Sequence, residues 1–252
     1  MRRIKGILLV VSILFLFGFT EQAQAQQLDY EPKVLLVTAH PDDDALFAAT
    51  VFKTTHLLDG VVDLAIMTNG EGGYKYSTLG NYIYNRELDR EEVGREYLPG
   101  IRKRELMAGG KIVGMRNYFF FDQVDDEYSK DISPAMQKWD TDWIKQRLQK
   151  ILKEEQYDFV FTMTPSKTTH GHHKASAILA LQAIQELPKD ERPFVFATTI
   201  TDSLGDQIAY SRLEGYPISK LMKGQQPMEF DRTKKFGFDN RLDYKIIANY
   251  YA

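Results

Sequence analysis

The 252-residue chain is 43% apolar and 27% charged, enough apolar content for a core, which excludes wholesale disorder. It has no Cys, so disulfides, thiol nucleophiles, Cys-ligated zinc and iron–sulfur clusters are excluded, and any transition metal falls to the carboxylates and only five His. The formal net charge of −3 becomes −5 for the 29 basic and 34 acidic residues after position 25, which argues against nucleic acid as a partner.

Residues 1–25 carry the pattern of an export signal. Arg2, Arg3 and Lys5 form a positive start, an apolar run extends from Ile7 to Phe19, and Ala23-Gln24-Ala25 offers small residues for cleavage. The run is shorter than the ~20 residues of a membrane span. The expectation is a cleaved signal, a mature domain over residues 26–252 without a membrane span, and a secreted or periplasmic location. An uncleaved anchor is the alternative. No Cys follows the run, so a lipid anchor is not expected.

Residues 33–39 (KVLLVTA) read as a strand buried on both faces. Residues 44–58 show helical spacing and stop at Gly60; residues 61–68 (VVDLAIMT) read as a second strand, completing a βαβ unit. Residues 69–100, rich in Gly and Tyr, read as a long loop with helical character near 85–96. A helix over 101–115, a strand over 117–121 and a helix over 133–156, with Ser133 as N-cap and Pro134 at its first position, come next. A strand over 158–164, a helix over 170–187 and a strand over 193–201 follow. Residues 202–252 are expected to add a short strand and a terminal helix. The alternation predicts one Rossmann-like α/β domain, an open, mostly parallel sheet with helices on both faces.

Four of the five His lie in two short segments, Ala39-His40-Pro41-Asp42-Asp43-Asp44 and Thr169-His170-Gly171-His172-His173. Each follows a predicted parallel strand and precedes a helix, so both are expected at the edge where open α/β sheets bind ligands. Three Asp at a helix start also suit capping and the helix dipole. Capping explains neither His40 nor the second cluster. A zinc site takes about three protein ligands; His40 and Asp43, separated by one turn, can face one centre, and a His of the second segment completes the set. His56, within a helix, reads as a packing or surface residue.

His40-Pro41-Asp42-Asp43 resembles the opening signature of the PIG-L/LmbE-like zinc de-N-acetylases, and His170-Gly171-His172-His173 resembles that family's later His-x-x-His motif. Thr68-Asn69-Gly70-Glu71 resembles its Thr-x-Gly-Glu turn, and the segment from Arg102 to Glu105 its Arg-x-x-Glu helix; the resemblance spans residues 33–185 in the family's order. It implies zinc, or another divalent metal, on His40, Asp43 and His173. Asp42 is implied as general base, and a protonated His170 as the group assisting the tetrahedral intermediate. It further implies removal of an N-acetyl group from an N-acetylglucosamine-type sugar or glycoconjugate, with Arg102 and Glu71 as candidates to hold this small-molecule or glycan substrate. Two positions beside the ligands depart from the pattern: Asp44 stands where Glu is usual, and His172 where the His-x-Asp-His form has Asp. A non-catalytic glycan-binding protein and an amidase for non-sugar substrates are the alternatives. Oligomeric state is left open.

Overall fold

The run KVLLVT forms β1 (Lys33–Thr38), buried from its second residue onward. Its alternate side chains serve two cores. Leu35 and Val37 join one cluster, and Val34 and Leu36 join the other. A strand covered on both faces needs apolar residues at successive positions, which is what this run supplies. The structure, a computed structural model, describes residues 30–251 apart from 127, 204, 206–208, 223 and 225–227; the expected export signal lies outside the described residues.

β2 (Val61–Thr68), β3 (Tyr118–Gln123), β4 (Phe159–Met163) and β5 (Phe194–Thr198) complete a sheet of order β3-β2-β1-β4-β5, with every pair parallel. The order reverses between β1 and β4, so the crevice of a doubly wound sheet opens at their carboxyl ends. After β1 the chain is helical through a 3₁₀ turn (Asp43–Phe47), α1 (Ala48–Phe52) and a π turn (Lys53–Leu57). α3 (Glu91–Val113) shares this face of the sheet. α5 (Thr141–Glu155) and α6 (Gly171–Gln185) cover the other face through residues such as Ile144, Leu148, Ile178 and Leu179. Burying one such side chain contributes about 1.5–3 kcal/mol.

The expected loop over 69–100 is instead mostly helical. A 3₁₀ segment (Glu71–Tyr76), α2 (Thr78–Tyr84) and the first part of α3 occupy it. α3 runs through Pro99 and across the boundary expected between residues 100 and 101. An interior proline costs a helix about 3 kcal/mol. The small core of Tyr74, Leu88, Leu98 and Ile101 offsets it by burying the residues on either side. Of the tyrosines there, Tyr74 is buried, while Tyr76 and Tyr82 are exposed.

The single helix expected over 133–156 is two: α4 (Ser133–Lys138) and α5, separated at Trp139. Trp139 turns extended, and its indole N–H donates to the Val124 carbonyl at 2.9 Å. Asp140 caps α5 by accepting from the Trp143 N–H at 3.1 Å. Ser133 is the first helical residue, and Ile132 the cap. The C-terminal segment supplies an antiparallel pair, β6 (Lys235–Phe236) and β7 (Leu242–Asp243), then α7 (Tyr244–Tyr251). Ile247 and Ala248 of α7 pack into the α1–α3 core. Among the described residues no helix is long and apolar enough to cross a membrane.

Candidate active site

Thr68 at the end of β2 pins the end of β1, donating from its N–H at 2.8 Å and from its hydroxyl at 2.9 Å to the Ala39 carbonyl. From there the chain turns tightly, and Asp43 reaches back. Its Oδ2 accepts from the backbone N–H groups of Ala39 (2.9 Å) and His40 (2.8 Å). That leaves Oδ1 directed at His173 Nε2, 2.9 Å away. His40 Nδ1 lies 3.1 Å from His173 Nε2 and 3.5 Å from Asp43 Oδ2. Nitrogen and oxygen atoms about 3 Å apart are spaced as tetrahedral ligands of a cation with ~2 Å bonds. His40, Asp43 and His173 therefore form one group able to hold a metal ion, and His40, His170 and His172 form another that shares His40.

His173 arrives from the other side of the crevice. His170 is the N-cap residue of α6, and Gly171, His172 and His173 form its first turn. A Cβ at Gly171 would overlap the Asp131 carbonyl, and the Gly171 N–H donates to the Ser129 carbonyl at 2.7 Å. The glycine thus lets the segment after β3 pass tightly over the start of α6. That passage lays the Tyr128 ring on His170, 4.8 Å between centroids and nearly parallel.

The electrostatics are those of a cation site. Burial opposes charge on His40, but Asp43 and Asp125 outweigh it and push its pKa up to about 10. Burial would raise Asp43, yet His40 and His173 hold it far below the usual carboxylate range. Burial and the neighbouring imidazoles lower the His170 pKa to about 3. Its buried Nε2 has no hydrogen-bond partner.

The remaining expected residues fall as follows. Asp42 is largely exposed beside Asp43 and accepts from Arg102 Nη2 at 2.8 Å. Arg102 also donates to the Pro41 carbonyl at 3.3 Å, so this guanidinium grips the turn. Glu71 Oε1 accepts the Asp125 N–H at 2.9 Å, so Glu71 clamps the loop after β3, while its buried Oε2 has no partner. Asp44 is buried and accepts from the Tyr251 hydroxyl of α7, and burial pushes its pKa up to about 8. It therefore anchors the C-terminal helix. His172 is buried against Trp139 and faces His40 Nε2 at 3.0 Å. His56 is exposed and stacks on Phe52, outside both His segments.

Sequence reasoning missed Asp125. It is buried, 3.4 Å from His172 Nδ1 and 3.6 Å from His40 Nε2. His172 and His40 hold its carboxyl well below the usual range against the effect of burial. One signal was available: the acidic pair Asp125-Asp126 directly follows a parallel strand, at the same sheet edge as both His segments.

A family model described as PIG-L: GlcNAc-PI de-N-acetylase matches residues 35–184. A probable N-acetyl-alpha-D-glucosaminyl L-malate deacetylase 2 of Bacillus cereus is 26% identical over 171 residues, 68% of this chain and 69% of that protein. The protein of the same name from Bacillus subtilis is 25% identical over 176 residues, 67% of each chain. Among solved structures, N,N'-diacetylchitobiose deacetylase from Pyrococcus horikoshii is 22% identical with a TM-score of 0.45, covering 66% of this chain and 58% of that one.

Proposed function

The chain belongs to the PIG-L, GlcNAc-PI de-N-acetylase, family, and on that premise we propose that it is an exported, metal-dependent hydrolase that removes the acetyl group from an N-acetylglucosamine-type sugar or glycoconjugate. The observation that carries the reading is the meeting of His40, Asp43 and His173 at the switch point of the sheet, with Asp42 and His170 beside them. The deacetylase names of the two Bacillus relatives support the same reaction class. Residues 1–25 are read as the export signal and 26–252 as the mature domain.

His40 Nδ1, Asp43 and His173 Nε2 are the residues that would hold the metal, zinc or another divalent ion. Such an ion, when bound, polarises a carbonyl and acidifies water. Asp42 takes a proton from water as the water oxygen bonds to the acetyl carbon. Arg102 orients that carboxylate by holding Oδ2. His170 donates from its unpartnered Nε2 to the developing oxyanion. As the C–N bond breaks, Asp42 returns its proton to the departing nitrogen. Acetate and a free amine result. Tyr128, flat against His170 and itself exposed, offers an aromatic face beside the reaction centre.

The experiment is a screen for acetate and free amine with the zinc-loaded protein across N-acetylglucosamine oligomers, peptidoglycan fragments and N-acetylated thiol sugars. Release from a sugar substrate is expected. Binding of these sugars without release would favour the glycan-binding alternative. N-terminal sequencing of protein from the extracytoplasmic fraction is expected to begin at Gln26.

A further inference from the structure

His40 is approached on both ring nitrogens by the same pair of residue types. On the Nδ1 side stand His173 and Asp43. On the Nε2 side stand His172 Nδ1 at 3.0 Å and Asp125 Oδ1 at 3.6 Å, themselves 3.4 Å apart. A neutral imidazole carries one N–H and one lone pair. For Nδ1 to offer its lone pair to a cation, Nε2 must carry the proton and give it to an acceptor. The Nε2 side supplies that acceptor.

The acceptor side is also built to stay in place. Asp125 Oδ2 accepts from the Gly72 N–H at 3.0 Å, its N–H donates to Glu71 at 2.9 Å, and its carbonyl accepts from Arg95 Nη1 at 3.0 Å. A Cβ at Gly72 would sit 2.9 Å from the Asp125 carboxyl carbon, so the glycine permits this close approach. The Trp139 ring, 5.1 Å from His172 between centroids, walls the group from solvent.

We propose that Asp125, whose Oδ1 faces both His40 Nε2 and His172 Nδ1 as their common acceptor, is the positioning residue that fixes the tautomer and orientation of His40 as a metal ligand. This rests on the metal-dependent reading above. A carboxylate behind a ligating imidazole raises its basicity and locks its ring, and losing such a partner typically costs 10–100-fold in metal affinity.

The test compares Asp125→Asn, Asp125→Glu, His172→Asn and the Asp125→Asn/His172→Asn double variant in the full chain. Zinc affinity is read by chelator competition, and the site by the visible absorption of the cobalt-loaded protein. Far-UV circular dichroism and urea unfolding report folding. Asp125→Asn is expected to keep the fold, bind zinc 10–100-fold more weakly and shift the cobalt bands. Asp125→Glu recovers part of the affinity. His172→Asn acts in the same direction, which keeps the proposal testable if Asp125→Asn fails to fold, and the double variant loses less than the product of the single losses. Unchanged affinity and spectra in Asp125→Asn and His172→Asn would overturn the proposal. So would two zinc ions per wild-type chain with one lost in Asp125→Asn, which would make this side a second cation site. A wild-type chain that binds no divalent ion overturns this proposal and the metal-dependent reading together. Weakened zinc binding in Asp125→Asn alongside a failed substrate screen supports the proposal and overturns only the substrate assignment.

Discussion

At the scale of single residues, His40 and Asp43 differ from their neighbour Asp42 in what already holds them. The Asp43 carboxylate is spent on two backbone N–H groups and His173, whereas Asp42 is exposed and held by one guanidinium. Replacing Asp42 with Asn is therefore expected to leave metal content unchanged while acetate release falls at least ~100-fold, the range for losing a general base. A His40→Ala/His173→Ala variant is expected to hold no metal by elemental analysis, and chelation of the wild-type chain to abolish turnover until zinc or cobalt is restored. His40 and Asp43 were legible as candidates because their residue types and spacing within one turn suit a shared cation, whereas the choice of His173 and the base role of Asp42 came only from the resemblance to the family. Asp125 was not legible. Its partners are 85 and 47 residues away along the chain, and nothing in Val124-Asp125-Asp126 distinguishes a buried acceptor from a solvated pair.

At the scale of elements, the N-terminus of α6 depends on two contacts with the loops beside it. A side chain at Gly171 would meet the Asp131 backbone, so Gly171→Ala is expected to displace the segment carrying Tyr128. A loss of about 1–3 kcal/mol in urea unfolding should follow, the usual cost of overpacking, together with slower turnover. Lys174 is buried and donates to the carbonyls of Lys130 at 2.6 Å and Lys167 at 3.0 Å, tying the loops on either side of α6. Lys174→Met strands those carbonyls and is expected to cost about 1–3 kcal/mol, measured the same way. Most strands were readable because consecutive apolar residues in a short run leave few alternatives. Helix limits were harder to read where tertiary contacts override local propensity. α3 passes Pro99 because Leu98 and Ile101 bury against Tyr74 and Leu88, and the 133–156 helix breaks because the Trp139 indole is drawn to Val124.

At the scale of the whole molecule, the two ends of the sheet carry separate duties. The His and Asp groups gather at the carboxyl ends of β1 and β4 and are supported from β2 and β3. Near the start of β2, buried Asp63 binds Arg116 at 2.5 and 2.9 Å, the Asn117 N–H at 3.0 Å and the Tyr157 hydroxyl at 2.5 Å. Arg116→Met leaves that carboxylate buried without its cation and is expected to cost about 3–5 kcal/mol in urea unfolding. Zinc affinity of the folded chain should stay unchanged, since the ion pair sits at the opposite edge from the ligands. The sequence by itself determined the alternation of strands and helices, hence a doubly wound sheet, and the two His-bearing turns, because periodicity and residue type are local properties. Only the tertiary structure decided which side of His40 faces Asp43 and which faces Asp125, that Glu71 grips a loop and that Asp44 anchors α7. Those are contacts between strand ends far apart in sequence, and they are set by the order and register of the sheet, which no local window of residues contains.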